Sequence, residues 1–368
     1  MILKCNGLQY DDRVRKECET LKKLLNLHTE IHVVQDENKL SKGTIFKSES
    51  TFKSYYLISR SLFSGNTMLL LKLLELFFRI LPTLFEKRKA VWLHDPIMFV
   101  FVPLLFILKK MGRLEYIVWD QHELPPNYFI SNSLFRWFYK FAMKLVDVRI
   151  HANSERGDYL NNLLDNNYNY KVLNNFVDES FVNEKSASLD PALLDWLDGD
   201  DFVLLQSGAY DERNFKSVVE AFTKYKMQKC VVVGGQRINL SYFRKKYSNF
   251  DEVFFFVGMV PQIRLVDFID KSKASLILYK STIKNAFYCE PNRLYQASCR
   301  GTFVIVGNNP PMARFVKRNG NGYILEDDGS NSEYIFHSLK FINSNKVESK
   351  VVISDWSTQD EVFLNLFD

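Results

Sequence analysis

A short apolar run that halts at polar residues, followed by a segment of helical period, recurs along this 368-residue chain. In the first half the runs at 2–5, 30–34, 89–93, 114–119 and 148–152 read as strands. They stop at Asn6-Gly7, His94-Asp95, Asp120-Gln121-His122-Glu123 and Asn153-Ser154-Glu155, among others. In the second half the runs lie at 202–206, 231–233, 253–257, 274–279, 302–306 and 322–325. Strands alternating with helices build parallel sheets with helices on both faces, and ligands bind outside the carboxyl ends of such strands. The polar residues closing each run are therefore the first place to look for chemistry.

Helical patterns fill the gaps. Val14, Cys18, Leu21 and Leu25 share one face of a helix starting at Asp12. Further helices are expected at 66–87, 97–108, 131–146, 262–272, 310–318 and 331–343, with a closing helix carrying Trp356, Val362, Leu364 and Phe367. Residues 36–55 are polar and read as a long loop. Residues 174–200 gather Asn174, Asn175, acids, serines, Pro191 and Gly199, the composition of a linker with a small helix near 190–197. The length suits two domains. The architecture expected is α/β, two doubly wound halves with a cleft between them.

Hydrophobic residues at 46% give enough apolar side chain for sizeable cores. A net charge of +5 over the whole chain is too modest and too dispersed for a nucleic-acid binder. Five scattered cysteines show no metal-ligand spacing, and their odd number with no signal peptide points to reduced thiols in a cytosol. The apolar segment 97–108 is broken by Pro103 and falls short of the roughly 20 residues needed to span a bilayer. With 66–90 and 134–144, which mix Leu, Phe and Trp with Lys and Arg, it suggests contact with the face of a membrane.

The stretch 285–301, NAFYCEPNRLYQASCRG, carries the most specific signal. Pro291 is pre-set for the first turn of a helix, which would leave the amides of Asn292, Arg293 and Leu294 without intrahelical partners. Such amides, with the helix dipole, suit phosphate. Tyr288, Glu290 and Gln296 surround that point with groups able to hold a sugar or ribose. Arg213 stands in a loop before a helix and can neutralise a diphosphate. There is no dinucleotide glycine fingerprint, P-loop or serine elbow.

In chain order, these pieces resemble a bacterial glycosyltransferase of the GT-B fold, most similar to the retaining family four. Asp12-Arg13-Val14 resembles the opening of the first helix, and Asp120, His122 and Glu123 the family's D-x-H-E strand end. Asn174-Asn175-Phe176-Val177-Asp178 resembles the entry to the second domain, and Gly208 with Arg213-Asn214 the phosphate loop. Glu290-Pro291-Asn292-Arg293-Leu294-Tyr295-Gln296 resembles E-P-N-K-L-Y-E. Departures are Tyr288 and Gln296 at the family's paired glutamates, Ala209 where a basic residue often follows the loop glycine, and a first glycine loop reduced to Gly7.

The resemblance implies domains at 1–178 and 179–352, with a closing helix at 353–368 returning to the first. It implies metal-independent transfer of a sugar from a nucleotide-diphosphate sugar, with retention, to a glycan or lipid-linked acceptor in polysaccharide assembly at the cytoplasmic face of the membrane. No cofactor is expected. His122, Arg213 and Glu290 become the catalytic candidates. Gly7, Gly208, Lys280, Tyr288, Asn292, Arg293, Leu294 and Gln296 join Arg213 and Glu290 at the donor. Asp12, Arg13 and Glu123 are placed on the acceptor side. A sugar-nucleotide epimerase and a sugar-nucleotide-binding subunit without catalysis are the alternatives on the same fold.

Overall fold

The structure is a computed structural model that describes residues 1–4, 8, 11–34, 42–63, 68–206, 208–225, 228–345, 347 and 350–367. It divides into two compact units, Met1–Asn174 with Gln359–Asp368, and Asn175–Thr358.

The first unit is built on an eight-stranded sheet. Its strands are β1 (Ile2–Lys4), β2 (Glu30–Val34), β3 (Lys42–Ile45), β4 (Ser50–Tyr55), β5 (Arg88–His94), β6 (Leu114–Gln121), β7 (Val148–His151) and β8 (Lys171–Val172), in the order β3-β4-β2-β1-β5-β6-β7-β8. All neighbours are parallel except β3, which pairs antiparallel with β4. Two strands thus occupy the segment expected to be a loop. Their side chains are largely exposed, and an edge hairpin with polar residues on both faces needs no apolar run to mark it. Central strands show the opposite signature: Val91, Leu93, Ile117 and Trp119 are buried in one core with Leu76, Ile80, Phe101, Leu105, Tyr139 and Met143. Those partners come from helices Leu69–Leu84, Val102–Lys110 and Ser133–Leu145 and the short turn Pro96–Phe101, which cover one face. Pro103 sits in the first turn of its helix, where a missing N–H costs little, and the preceding residues are wound as a 3-10 turn. On the other side Phe363, from the returning helix Asp360–Leu364, packs on Trp92 at 6.3 Å between rings. Gln359 ties that return down by accepting from the Asn174 amide and donating to its carbonyl.

The second unit has six parallel strands: β9 (Phe202–Leu205), β10 (Lys229–Val233), β11 (Phe254–Gly258), β12 (Ala274–Ile277), β13 (Val304–Val306) and β14 (Gly322–Ile324). Their order, β11-β10-β9-β12-β13-β14, reverses between β9 and β12. At such a switch point the two flanking helices leave on opposite faces and open a crevice at the carboxyl ends. The equivalent reversal in the first unit lies between β1 and β5. Among the described residues no helix is long and apolar enough to cross a membrane.

Candidate functional site

In the second unit the site assembles at the β9/β12 reversal. Beyond β9 the chain turns at Gly208, whose φ of +72° suits glycine and whose missing Cβ would lie 2.0 Å from the Gly235 carbonyl oxygen. Ala209 then donates to that oxygen at 3.0 Å. A 3-10 turn, Asp211–Arg213, follows and ends at Asn214 in the left-handed region. Lys280 N–H donates to Glu212 O, and Asn214 Nδ2 donates to Asp328 O at 2.8 Å, so the turn is fixed to the ends of its neighbours.

The fixed turn places the Arg213 guanidinium 3.6 Å from the ring centre of Tyr279, just past β12. Arg293 approaches the same ring at 5.3 Å. Burial, with the like charge of Arg293, lowers the proton affinity of Arg213, and Tyr279 opposes this. Burial pushes the Tyr279 hydroxyl up to about 12, against the pull of the two guanidiniums, so it stays neutral. Neither guanidinium has a hydrogen bond or ion pair among the described residues, and Arg293 Nη1 is buried without a partner. Two cations therefore crowd one aromatic plate with no anion to neutralise them. Lys280 differs, because its ammonium pairs with the Asp211 carboxylate.

Arg293 belongs to the first turn of the helix Asn292–Cys299, and Pro291 is its N-cap rather than its first residue. The amides of Asn292 and Arg293 are open, but the Leu294 amide donates to Pro291 O at 2.9 Å. The expectation of three phosphate-binding amides is corrected to two, because the third already closes the first turn. Gln296 is also corrected as a ribose ligand. Its side chain is buried on the inner face of that helix, and its Oε1 accepts from Gln206 Nε2 at 2.6 Å. Tyr288 is half-buried after the short turn Lys284–Phe287, edge-on to Phe287. Glu290 is buried, with Arg314 Nη2 at 4.0 Å.

In the first unit the strand ends hold a buried ionic network. Arg13 lies on the inner face of helix Asp12–Leu25 and grips both carboxylate oxygens of Asp120, at 2.6 and 3.0 Å, while donating to Leu173 O. Glu17, one turn on, lies 3.2 Å from Arg13 and 2.8 Å from His94 Nε2. Burial works against both charges, yet the Glu17 carboxyl is held below its usual range by His94, and His94 is raised by Glu17. Lys4, at the end of β1, pairs with Asp11, the cap of the same helix. His122 is partly buried, 3.7 Å from Asp95 and 3.8 Å from Asp120, and burial lowers it to about 4 despite those carboxylates.

These contacts revise the acceptor-side set. Arg13 is committed to Asp120, and Asp12 to Lys16 and Arg15 on its own helix. Glu123 is exposed, and Gly7 lies outside the described residues. Glu17 and Tyr279 were missed. The spacing of Glu17 four residues after Arg13, and an aromatic closing an aliphatic run at Tyr279, were the signals available. His94, Asp120 and His122 bring potential metal-ligand atoms within 4.8 Å of one another. The Arg13 fork on Asp120 and the Glu17 carboxylate 2.8 Å from His94 Nε2 already engage two of these three groups, which suits a polar network better than a cation.

No curated protein matches the sequence. Residues 196–353 match the family model for glycosyl transferases group 1. Among solved structures, sucrose-phosphate synthase from Thermosynechococcus elongatus superposes with a TM-score of 0.75 at 12% identity, covering 100% of this chain and 98% of that one. An E. coli trehalose-6-phosphate structure bound with UDP-2-fluoro glucose gives 0.72 at 10%, covering 100% and 99%. Anabaena HepE in complex with UDP and glucose gives 0.67 at 12%, covering 100% and 99%. The chain thus has the GT-B fold, and its second unit carries the segment similar to glycosyl transferases group 1. The family match spans every second-unit strand, so the Arg213–Tyr279–Arg293 group lies inside the matched segment.

Proposed function

We propose that this protein is a glycosyltransferase that takes a sugar from a nucleotide-diphosphate donor and passes it, with retention and without a metal, to a glycan or lipid-linked acceptor in cell-surface polysaccharide assembly. The observation that carries the donor half is the pair of unneutralised guanidiniums on Tyr279 beside two open helix amides. A diphosphate is the ligand whose charge and size answer that arrangement. When the bond from the anomeric carbon to the phosphate oxygen breaks, negative charge collects on the leaving diphosphate. Fixed cations and amides stabilise that charge at no reorganisation cost. They supply what a divalent ion would otherwise provide.

The proposed roles follow the geometry. Arg213 and Arg293 hold the diphosphate, with the Asn292 and Arg293 amides behind it. Glu290 and Tyr288 meet the sugar. His122, neutral at pH 7, is the first unit's candidate for a sugar contact, because it can donate one hydrogen bond and accept another. A uridine base is the first choice to test, since HepE was solved with UDP and the E. coli structure with UDP-2-fluoro glucose. Retention, the acceptor class and the polysaccharide role rest on the sequence resemblance.

The test is a thermal-shift series with UDP-, GDP-, ADP- and CMP-sugars, followed by transfer assays. A donor at a hundred times its dissociation constant stabilises by about 2.7 kcal/mol. Arg213→Ala is expected to abolish the shift and to cost at least about a hundredfold in kcat/KM, a loss typical of one removed charge-stabilising donor. Full transfer by that variant would end this reading, as would the absence of any shift.

A further inference from the structure

We infer that a cavity at the amino-terminal edge of the first sheet is a binding site for a small acid built on one apolar ring. It lies where β1, β2 and β5 begin, at the opposite end of the sheet from His94 and Asp120. Doubly wound sheets bind their usual ligands outside the carboxyl ends of the strands, so this space is separate from the chemistry described above.

The sequence builds the apolar wall by alternation. In β5, Val91 and Leu93 face the helical core, so Trp92 faces the other side. Trp92 pairs in register with Ile2 of β1, and both are buried. Leu21, on the inner face of helix Asp12–Leu25, and Phe367, from the returning segment, complete that wall. Phe367 is held by Tyr116, whose hydroxyl donates to its carbonyl at 2.8 Å and whose ring lies 4.8 Å from its own. The cavity measures about 210 Å³. That is the room of roughly seven waters, or of one six-membered ring with an acidic group.

Hydrogen bonding sets the polar half of the ligand. Two N–H groups of the lining, Trp92 Nε1 and Arg88 Nε, are buried with no acceptor among the described residues. Buried donors are normally matched, so two in one wall call for an acceptor from outside the chain. The rest of Arg88 is committed: Nη1 meets Glu30 at 2.6 Å and Nη2 meets Glu86 at 2.7 Å. Lys87 and Lys89 stand exposed at the rim and form no ion pair among the described residues, the Lys89 ammonium lying 5.0 Å from the centre of the Phe367 ring. An apolar ligand would leave the donors unmatched, and a bare inorganic anion would leave the aromatic wall uncovered. An anionic group on a flat apolar body answers both. Because Trp92 also packs on Phe363, such a ligand ties the returning segment to β5.

The test is the thermal shift of the full chain with phenyl phosphate and with benzoate, against phenol and inorganic phosphate as the separate halves. Both acids are expected to raise the melting temperature at concentrations where neither half does. Lys87→Glu/Lys89→Glu, at exposed positions, should weaken phenyl phosphate by at least about tenfold, two reversed charges acting together. Trp92→Phe keeps an aromatic ring, removes the N–H and should cost about fivefold. An unchanged melting temperature without ligand would show the lysine variant folded. Phenyl phosphate also suits the Arg213–Arg293 pair, so Arg213→Ala is run alongside and should keep the shift. A shift lost in Arg213→Ala and intact in the lysine variant would assign the probe to the second unit and overturn the inference. So would equal binding by the lysine and Trp92 variants, a shift from inorganic phosphate as large as that from phenyl phosphate, or no shift from either acid. The readout uses no sugar donor, so it stands or falls separately from sugar transfer.

Discussion

The two units present opposite electrostatic states at equivalent places. At the β1/β5 reversal the charged groups answer one another: Arg13 with Asp120 and Glu17, Glu17 with His94, Lys4 with Asp11. At the β9/β12 reversal Arg213 and Arg293 share an aromatic ring and form no ion pair among the described residues. The same doubly wound plan has been completed internally in one case and left for a ligand in the other. An internally paired end holds a shape. An end with surplus charge stores an affinity.

The contrast can be broken most forcefully at Arg13. Arg13→Ala strands the Asp120 carboxylate, fully buried, without its guanidinium, and removing one partner of a buried pair costs about 3–5 kcal/mol. Urea or thermal melting of the variant should show that loss. Gly208→Ala comes next. A side chain there meets both a positive φ and the Gly235 carbonyl, so the second unit should lose about 2–3 kcal/mol, read by the same melts.

Acid should then separate the units. His32, His122 and His151 are each lowered to about 4, first by burial, and all three lie in the first unit. Their folded values lie below the unfolded 6.5, so the unfolded chain binds more protons in that window. The stability they support is present above pH 6.5 and is lost as pH falls towards 4, on the order of 3 kcal/mol per histidine. His94 runs the other way. Its value is raised, so its contribution is complete below pH 6.5 and fades as pH climbs through the folded value. Three groups outweigh one, and hydrogen exchange across that range should open the first unit ahead of the second, whose one histidine, His337, is exposed. The smallest effect sharpens the contrast from the other side. Arg213→Ala and Arg293→Ala remove charges with no partner, so melting without donor should move by no more than about 0.5 kcal/mol while donor binding collapses. A large stability loss there would mean that these guanidiniums are structural.

Much of this was legible in the sequence because parallel strands buried on both faces write continuous apolar runs, and their polar ends stand out. The runs before His94, Asp120 and Gly208 are strands β5, β6 and β9, although their order in the sheets is not written in the sequence. What stayed hidden depended on burial. Residues 42–45 and 50–55 form strands without an apolar run, because β3 is the exposed edge of the sheet and its neighbour β4 buries only Ser50 and Tyr55. Arg13 reads as a free cation until the helix turns it inward onto Asp120. Gln296 reads as a ribose ligand until its face of the helix proves to be the buried one. Arg293 was visible as a basic residue at a helix start, but only the fold sets it against Tyr279 with no carboxylate partner among the described residues.

The return of residues 359–367 to the first unit has a consequence for how the protein is made. Phe363 completes the packing against Trp92, and Gln359 satisfies the backbone of Asn174. During synthesis the first 174 residues leave the ribosome with that seat empty, and the second unit, continuous in sequence, can finish first. The earlier half is sealed only when residues 359–367 emerge, so a nascent chain stalled before them would expose the Trp92 seat to chaperones while the second unit was already folded.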